Sequence, residues 1–442
     1  MDTPISVVGI SDSPRLTTGF ANVAKPIYDG FVEAGFDLVV FGMLDVEQAV
    51  KGELPYGYWP ATPFDLLGMQ ESIVCVERVK PDVVWVMIDP GNLLSLAINL
   101  VEASNRLKTK YGKGFKIVAY PPIEGTPVTA NYVAGFEHII NNGGVVTFWC
   151  KSAVDAVKQW STYNYDYVYF GADHADFVPY SPQERRLLKS KVGLEDYFVV
   201  GSFGVNKRTK GFPSLIYTAA KLREMGEDKG IKFYCHTNPY KPVMQGHLLK
   251  DMAQRYGVAD MFLWKPDDNE SRRGNMYKGD DRINGTLANL STIRRPRTAS
   301  KRGELWSDYD FVTKMNCMDM YLDLSQVEGW GMPQIEAMKC GVPLVSVRDK
   351  SVREELYGNV AYMLDPTPVD EWDTWHTGAR LVNVNPTVAA KAIIELRSNK
   401  KLRKMIADRG IEWAKHLKWE LTKKYMNNKI ESVARSLMLN SL

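Results

Sequence analysis

The chain alternates short, continuous apolar runs with longer amphipathic stretches, and this alternation constrains its fold more than any other feature. Runs such as Val83–Ile88 and Ile117–Tyr120 contain no charged or amide side chain. A strand that is apolar on both faces must be covered on both sides, which is typical of parallel strands between layers of helices. The alternation therefore predicts an α/β fold with a doubly wound parallel sheet.

The alternation occurs twice along the chain. It stops after Pro179, where Ser181–Lys191 is polar and charged, and it restarts at Phe198. A chain of 442 residues is also too long for one ordinary hydrophobic core. We therefore predict two Rossmann-like domains in tandem, the first over 1–181 and the second over 182–418.

Composition argues against several classes of protein. The net charge is only +3, so no strong overall field favours nucleic acid as a partner. The five cysteines are scattered, and no Cys/His group has the spacing of a structural zinc site, which predicts reduced core cysteines and no metal. The sequence shows no signal peptide and no run of about 18 uncharged apolar residues, which predicts a cytoplasmic protein without a transmembrane segment.

One segment of the second domain has the pattern of a ligand site. The apolar strand Tyr321–Leu324 leads into the loop Ser325–Gly331, which is followed by Pro333, a favoured first-turn residue of a helix. The predicted helix ends where Gly341 suits a left-handed cap, and another apolar strand follows. Open α/β sheets bind ligands at the carboxyl ends of such strands, so we expect a ligand at this loop.

The side chains of this segment suit a ligand that carries phosphates and hydroxyls. Glu328 follows the strand, and Gly329 and Gly331 let backbone N–H groups approach a ligand closely. The helix start offers free N–H donors, and Glu336 on that helix can accept hydrogen bonds from a diol such as ribose. The alternative is that Glu336 only complements the helix dipole and that Glu328 is a solvated loop residue. The glycines and Pro333 favour the ligand site.

On these residues, the segment closely resembles the E-x7-E region of retaining glycosyltransferases of the GT-B fold, especially glycosyltransferase family four. The family typically begins this region with Glu-Gly-Phe-Gly-Leu-Pro and ends it with Glu-Ala-Met-Ala-Cys-Gly-Val-Pro. Here the run is Glu328-Gly-Trp-Gly-Met-Pro-Gln-Ile-Glu336-Ala-Met-Lys-Cys-Gly-Val-Pro-Leu-Val345. The resemblance implies two Rossmann-like doubly wound domains facing a cleft, with a C-terminal helix, here about 419–442, that packs back on the first domain.

A weaker resemblance extends over most of the chain. Thr18–Ala24 is similar to the family's glycine loop and first helix, Gly171–Pro179 to the segment before its linker, and Val200–Phe212 to the first strand and loop of its C-terminal domain. The implied function is transfer of a sugar from a nucleotide sugar, UDP- or GDP-linked, to an acceptor hydroxyl with the anomeric configuration retained. The resemblance implies no metal and no cofactor besides the nucleotide sugar itself.

The resemblance also implies roles for single residues. Lys210 and Arg208 would bind the donor diphosphate and stabilise its charge as the glycosidic bond breaks; Arg208 takes the place of a family Arg that usually follows the strand more closely. Glu336 would bind the ribose, Glu328 would contact the sugar, and Gly19 would lie beneath the donor phosphates. The alternative for the two cations is a solvated basic loop. The remaining donor-side predictions are Gly329, Gly331, Met332 and His236.

Three residues of the first domain are candidate acceptor ligands. Asp89 and Glu124 each follow a predicted strand, and His174 lies in the loop before the linker. Asp89 and Glu124 equally fit helix caps. His236, in the second domain, precedes an Asn-Pro pair and equally fits a simple turn.

A basic insertion over 269–304 interrupts the second domain. Its Lys and Arg residues outnumber its Asp and Glu residues by nine to four, and it is too polar to form a core. One interpretation is a solvated surface loop. The other is an element that binds an anionic acceptor, such as viral DNA with hydroxylated bases or a lipid surface, because a duplex-backbone contact needs only cations. The cations concerned are Arg272, Arg273, Arg294, Arg295, Arg297, Lys301 and Arg302.

Two other functions fit a chain of this kind. One is a catalytically inactive GT-B protein that only binds a nucleotide sugar or a partner, and the intact Glu328, Glu336 and Lys210 argue against it. The other is an epimerase or phosphorylase of the same fold, and the sequence shows no pyridoxal lysine site for a phosphorylase. An active glycosyltransferase is therefore the favoured function, with the acceptor left open between DNA, a glycan and a lipid.

Overall fold

The computed structural model describes residues 4–45, 54–173, 176–240, 245–264, 308–349, 351–367, 371–373 and 377–439. The strands are β1 (Ser6–Asp12), β2 (Asp37–Met43), β3 (Gly57–Pro60), β4 (Val83–Val86), β5 (Lys116–Ala119), β6 (Val145–Phe148), β7 (Asp166–Tyr167), β8 (Phe198–Phe203), β9 (Ile231–His236), β10 (Phe262–Trp264), β11 (Met320–Leu322), β12 (Leu344–Val347) and β13 (Tyr362–Leu364). The helices are α1 (Gly19–Glu33), α2 (Glu71–Val79), α3 (Pro90–Tyr111), α4 (Ala130–Asn141), α5 (Lys151–Val157), α6 (Pro182–Lys191), α7 (Phe212–Glu224), α8 (Leu249–Arg255), α9 (Asp308–Asn316), α10 (Met332–Lys339), α11 (Val352–Tyr357), α12 (Pro386–Ser398), α13 (Lys400–Ala414) and α14 (Trp419–Leu439).

The chain forms two compact units. The first contains Met1–Gly171, Asp373–Ala379 and Leu417–Leu442, and the second contains Ala172–Trp372 and Arg380–His416. Each unit has its own parallel sheet, as the twofold alternation of the sequence predicts. The domain limits predicted from the sequence, 1–181 and 182–418, stay predictions.

The first unit has a seven-stranded parallel sheet in the order β3-β2-β1-β4-β5-β6-β7. Its central strands are apolar on both faces, and every residue of β4 is buried. Because a parallel strand needs a crossover to reach its neighbour, helices alternate with these strands along the chain. The strand order reverses at β1, which pairs with β2 on one side and β4 on the other.

The C-terminal helix α14 completes the first unit, as the GT-B resemblance implies. The Thr422 hydroxyl donates to the Tyr169 carbonyl at 2.7 Å, and Trp419 stacks on Phe170 with a ring-centre distance of 5.8 Å. Two glycines allow this close contact: a Cβ on Gly30 would lie 2.7 Å from the side chain of Lys423, and one on Gly171 would lie 2.2 Å from the Trp419 backbone. The predicted fold class is therefore confirmed, with two Rossmann-like units and a C-terminal helix on the first.

The second unit has a six-stranded parallel sheet in the order β10-β9-β8-β11-β12-β13. Helices α7 and α12 pack against each other in its core, and α10 packs on α13. The linker helix α6 starts with a capping box in which Ser181 and Glu184 satisfy each other's backbone N–H groups. Among the described residues, none of the helices combines the length and the apolar character needed to cross a membrane.

Candidate functional site

The predicted donor loops meet at the point where the strand order of the second sheet reverses. β8 pairs with β9 on one side and with β11 on the other, and the chain leaves β8 and β11 in opposite directions across the sheet. Such a reversal leaves a crevice at the carboxyl ends of the two strands, where doubly wound sheets bind ligands. The loop after β8 carries Arg208 and Lys210, and the loop after β11 carries Glu328.

Lys210 and Glu328 form an ion pair across these two loops. The Lys210 ammonium donates to Glu328 Oε1 at 2.6 Å, and the Gln334 amide lies 3.5 Å from the same oxygen. Glu328 is 5% exposed, so Lys210 neutralises a carboxylate that is almost fully withdrawn from water. Gly211 makes the close approach possible, because its φ is +66° and a Cβ there would lie 1.9 Å from the Leu324 carbonyl oxygen.

The start of α10 lies next to this pair. Gly331 is the N-cap, with φ of 90° and ψ of 57°, and no side chain among the described residues caps the helix. Met332 and Pro333 form the first turn. The helix ends at Lys339, Cys340 is its C-cap, and Gly341 follows with the predicted left-handed φ of +69°. Uncapped N–H groups and the helix dipole attract an anion at this end.

Glu336 is half-buried on α10, one turn beyond the N-cap. Its charge and that of Glu328 act on Tyr321, whose pKa lies well above the ordinary value chiefly because the hydroxyl is buried. Glu328 thus lies in the loop after β11 and Glu336 on the helix that follows it, and their roles in binding a donor stay predictions. Gly329 lies between them in the loop after β11, where its backbone is buried.

Arg208 has a partner that the sequence does not reveal. Its guanidinium donates to Glu371 at 2.6 Å, and the same carboxylate accepts from Asn383 at 3.0 Å. The Gln326 amide in turn donates to Asn383 at 2.7 Å, while the Gln326 N–H donates to the Thr209 carbonyl at 2.7 Å. The ring of contacts ties the two donor loops to the segment around Glu371. Binding of a diphosphate by Arg208 stays a prediction, and it would compete with this carboxylate.

His236 ends β9 inside an aromatic cluster. Its ring lies 4.9 Å from that of Phe203 and 5.0 Å from that of Phe311, measured between ring centres. Tyr234 OH and His236 Nδ1 are 3.1 Å apart. The imidazole is half-buried at the carboxyl edge, a position that suits stacking on a planar base.

In the first unit, Gly19 opens α1 and faces open space. Apart from Gly19 itself, its chain neighbours and the nearby backbone of α1, no atom of the described residues lies within 4 Å of the position a Cβ would take on Gly19. Thr18 caps the helix by accepting from Ala21, and its hydroxyl donates to Asp12 at 2.5 Å. Asp12 is a buried carboxylate that the sequence analysis missed. Burial raises its pKa, although the hydrogen bond from Thr18 opposes the rise.

The candidate acceptor residues Asp89 and Glu124 lie in one neighbourhood of the first unit. Asp89 caps α3, because its carboxylate accepts from the Gly91 N–H at 2.8 Å. The Tyr132 hydroxyl has a raised pKa, mainly through burial and further through the charges of Asp89, Glu124 and Asp373. Asp373 is far from Asp89 and Glu124 in the sequence, so the sequence did not indicate that it would act on the same hydroxyl.

Two predictions fall outside the described residues. These are His174 and the basic insertion 269–304 with its arginines and lysines. Where the structure describes the chain, it brings no three His, Cys, Asp or Glu side chains together in the manner of a metal site.

Residues 305–413 match the family of glycosyl transferases group 1. No curated protein sequence matches the chain significantly.

Solved structures match nearly the whole chain at low identity. Anabaena HepE, in complex with UDP and glucose, is 14% identical with a TM-score of 0.59, covering 99% of this chain and 100% of its own. Sucrose-phosphate synthase from Thermosynechococcus elongatus is 12% identical with a TM-score of 0.65, covering 98% and 100%. A glycosyltransferase from Rickettsia africae is 11% identical with a TM-score of 0.65, covering 97% and 98%. These structures show a shared GT-B fold. Taken with the family match over 305–413, the fold indicates that the chain is a glycosyltransferase.

Proposed function

We propose that the chain transfers a sugar from a UDP- or GDP-linked donor to an acceptor hydroxyl, with retention of the anomeric configuration and without a metal ion. The observation that carries this proposal is the Lys210–Glu328 pair beside the uncapped start of α10. A cation, free N–H donors and a buried carboxylate at a sheet reversal suit a diphosphate joined to a sugar.

The donor binds through groups of the second unit. Lys210 and the N–H groups at Gly331 and Met332 hold the diphosphate, Glu336 accepts hydrogen bonds from the ribose, and His236 lies beside the base. Support for a uridine nucleotide comes from HepE, which shares the fold and was determined with UDP and glucose.

Donor binding exchanges one anion for another at Lys210. In the structure its ammonium neutralises Glu328, whereas a bound diphosphate would draw the ammonium towards itself and release the carboxylate to the sugar. As the bond between the anomeric carbon and the diphosphate oxygen breaks, Lys210 stabilises the charge on the leaving group and Glu328 the positive charge on the sugar. The acceptor oxygen bonds to the anomeric carbon on the same face, and its proton passes to the departing diphosphate oxygen.

The acceptor binds to the first unit, where Asp89 and Glu124 can accept hydrogen bonds from its hydroxyls. Its identity stays open between a glycan, a lipid and DNA with hydroxylated bases. A titration of DNA binding against salt tests whether DNA is the acceptor, because binding through the cations of 269–304 must weaken steeply as salt rises. No affinity for DNA at low salt would remove DNA as the acceptor.

Incubation with a panel of UDP- and GDP-sugars tests the activity, with nucleotide release and product anomers followed by NMR. We expect turnover with at least one donor, retained configuration, and weakened nucleotide binding for Glu336→Ala. The matched control is the double variant Lys221→Met with Glu224→Gln. It removes an exposed ion pair on α7, away from the donor loops, in which Lys221 Nζ lies 2.8 Å from Glu224 Oε1. Nucleotide binding without turnover would favour the inactive scaffold. An absence of both turnover and binding would refute the proposal.

A further inference from the structure

Helix α11 carries two fully buried side chains that lie beneath the loop bearing Glu328. Arg353 and Tyr357 are both 0% exposed, and their spacing of four residues puts them on the same face of the helix. Burial of an arginine is unfavourable unless its charge is paired, so the contacts of Arg353 must account for its position.

Arg353 holds the first part of the loop through a hydrogen bond. Its guanidinium donates to Asp349 at 2.6 Å and also to the carbonyl of Ser325, three residues before Glu328. Asp323, at the start of the loop, lies 3.9 Å from the same guanidinium and accepts from the Ser325 N–H at 3.0 Å. Both backbone groups of Ser325 are thus fixed by one buried ionic cluster.

The cluster is itself held by the sheet. Asp323 also accepts from the hydroxyl of Ser346 on β12 at 2.7 Å, and Asp349 accepts from Ser351 at 2.5 Å. Burial works against the charge of Arg353, but Asp349 and Asp323 outweigh it and hold its pKa above the ordinary value. The guanidinium is therefore a permanent charge between the sheet and the loop.

Tyr357 supports the far end of the same loop. Its hydroxyl oxygen lies 2.9 Å from the point where a Cβ on Gly331 would stand, so the tip of this side chain reaches the space under that glycine. Burial raises the pKa of this hydroxyl well above its ordinary value, and the charges of Asp323 and Glu328 raise it further, whereas that of Arg353 lowers it.

We infer that Arg353 and Tyr357 are positioning residues for Glu328, and that α11 sets the placement of this carboxylate by holding its loop at Ser325 and at Gly331. The inference rests on the proposed function of Glu328 in sugar transfer. Neither side chain touches the donor, and both act only through the loop.

Arg353→Lys tests the hydrogen bond from the guanidinium to the Ser325 carbonyl. The lysine keeps the charge, but a single short ammonium cannot reach Asp349 and the Ser325 carbonyl together. We expect kcat for transfer or donor hydrolysis to fall about tenfold or more, while the Kd for UDP or GDP stays within about twofold, because a misplaced carboxylate costs rate rather than nucleotide affinity. Thermal melting shows that the rates are measured on folded protein.

Tyr357 offers a pair of variants for the other end. Tyr357→Phe removes only the hydroxyl group and keeps the rest of the side chain below Gly331, so it should retain kcat within about twofold. Tyr357→Ala removes the whole side chain beyond Cβ and should lower kcat about tenfold. Arg403→Lys is the matched control, since Arg403 donates to the carbonyls of Leu396 and Arg397 on α12. Its kcat should equal that of the wild type.

Each outcome decides one question. If Arg353→Lys lowers the melting temperature but leaves kcat unchanged well below melting, the arginine is merely structural and the inference is wrong. If Tyr357→Ala keeps full kcat, the support at Gly331 is wrong. Should Tyr357→Ala fail to fold, Arg353→Lys alone decides. A wild-type protein that neither binds nucleotides nor turns over a donor would instead refute the proposed function.

Discussion

Replacing Lys210 by Met tests the energy of the ion pair that joins the two donor loops. Glu328 is 5% exposed, so the variant leaves a buried carboxylate without its cation. Loss of one partner from a buried pair costs about 3–5 kcal/mol. The side chain of Lys210 is itself 21% exposed, and water can partly replace it. We therefore expect the free energy of unfolding of the second unit to fall by about 2–3 kcal/mol.

The pair can be isolated by a double-mutant cycle. Glu328→Gln removes the carboxylate from beside the more exposed partner, so we expect it to cost about 1 kcal/mol. The double variant removes both charges and should cost about 1–2 kcal/mol, less than Lys210→Met alone. The coupling between the two side chains is then about 2 kcal/mol.

Urea unfolding followed by tryptophan fluorescence and circular dichroism measures these energies. Trp330 is 2% exposed within the loop after β11 and reports on the opening of this region. The exposed pair Lys221–Glu224 is the control, for which we expect a coupling of about 0.3–0.5 kcal/mol. If the costs of Lys210→Met and Glu328→Gln add to that of the double variant within about 0.5 kcal/mol, the reasoning on this pair is refuted.

Three further variants test other parts of the structure. Gly211→Ala forces a φ of +66° and a contact of 1.9 Å with the Leu324 carbonyl, so urea unfolding should show a loss of more than about 2 kcal/mol. Asp12→Asn should stabilise the first unit at pH 7, because burial raises the pKa of Asp12 and the charged carboxylate destabilises the fold. Thermal melting should show that the stability gained over the wild type shrinks as pH falls towards about 4, where the wild-type carboxylate becomes protonated. A gain in stability that grows as pH falls would contradict a raised pKa for Asp12. Tyr357→Phe removes a buried hydroxyl that makes no hydrogen bond in the described part of the chain, so urea unfolding should show unchanged stability or a gain of up to about 1 kcal/mol.

The strands that sequence periodicity predicts are those buried on both faces. β4 and β12 are fully buried and stand out as apolar runs. β3, over Gly57–Pro60, escaped prediction because it lies at the edge of the first sheet, where its residues are partly exposed. An edge strand also tolerates Pro60, which in a sequence reads as a turn.

In the candidate site, residues that are close in sequence could be predicted to lie together, whereas contacts between residues far apart in sequence could not. Glu328, Gly331 and Glu336 lie within one strand–loop–helix segment, so their spacing alone places them together. The partner of Arg208 could not be predicted, because Glu371 is 163 residues away and only the folded chain brings the two side chains to 2.6 Å. Arg353 was missed for a related reason, since an arginine before two glutamates resembles a solvated helix surface until its burial is known.

The packing of α14 has a consequence for how the protein is made. Thr422 bonds to Tyr169 across 253 residues of sequence, and Lys423 pairs with Glu33 across 390. During synthesis, which runs from the N-terminus, the sheet of the first unit emerges from the ribosome long before the helix that covers it. Until then its apolar surface under α14 stays exposed. We therefore expect a chain truncated within the second unit to expose this face and to aggregate more readily than the full chain.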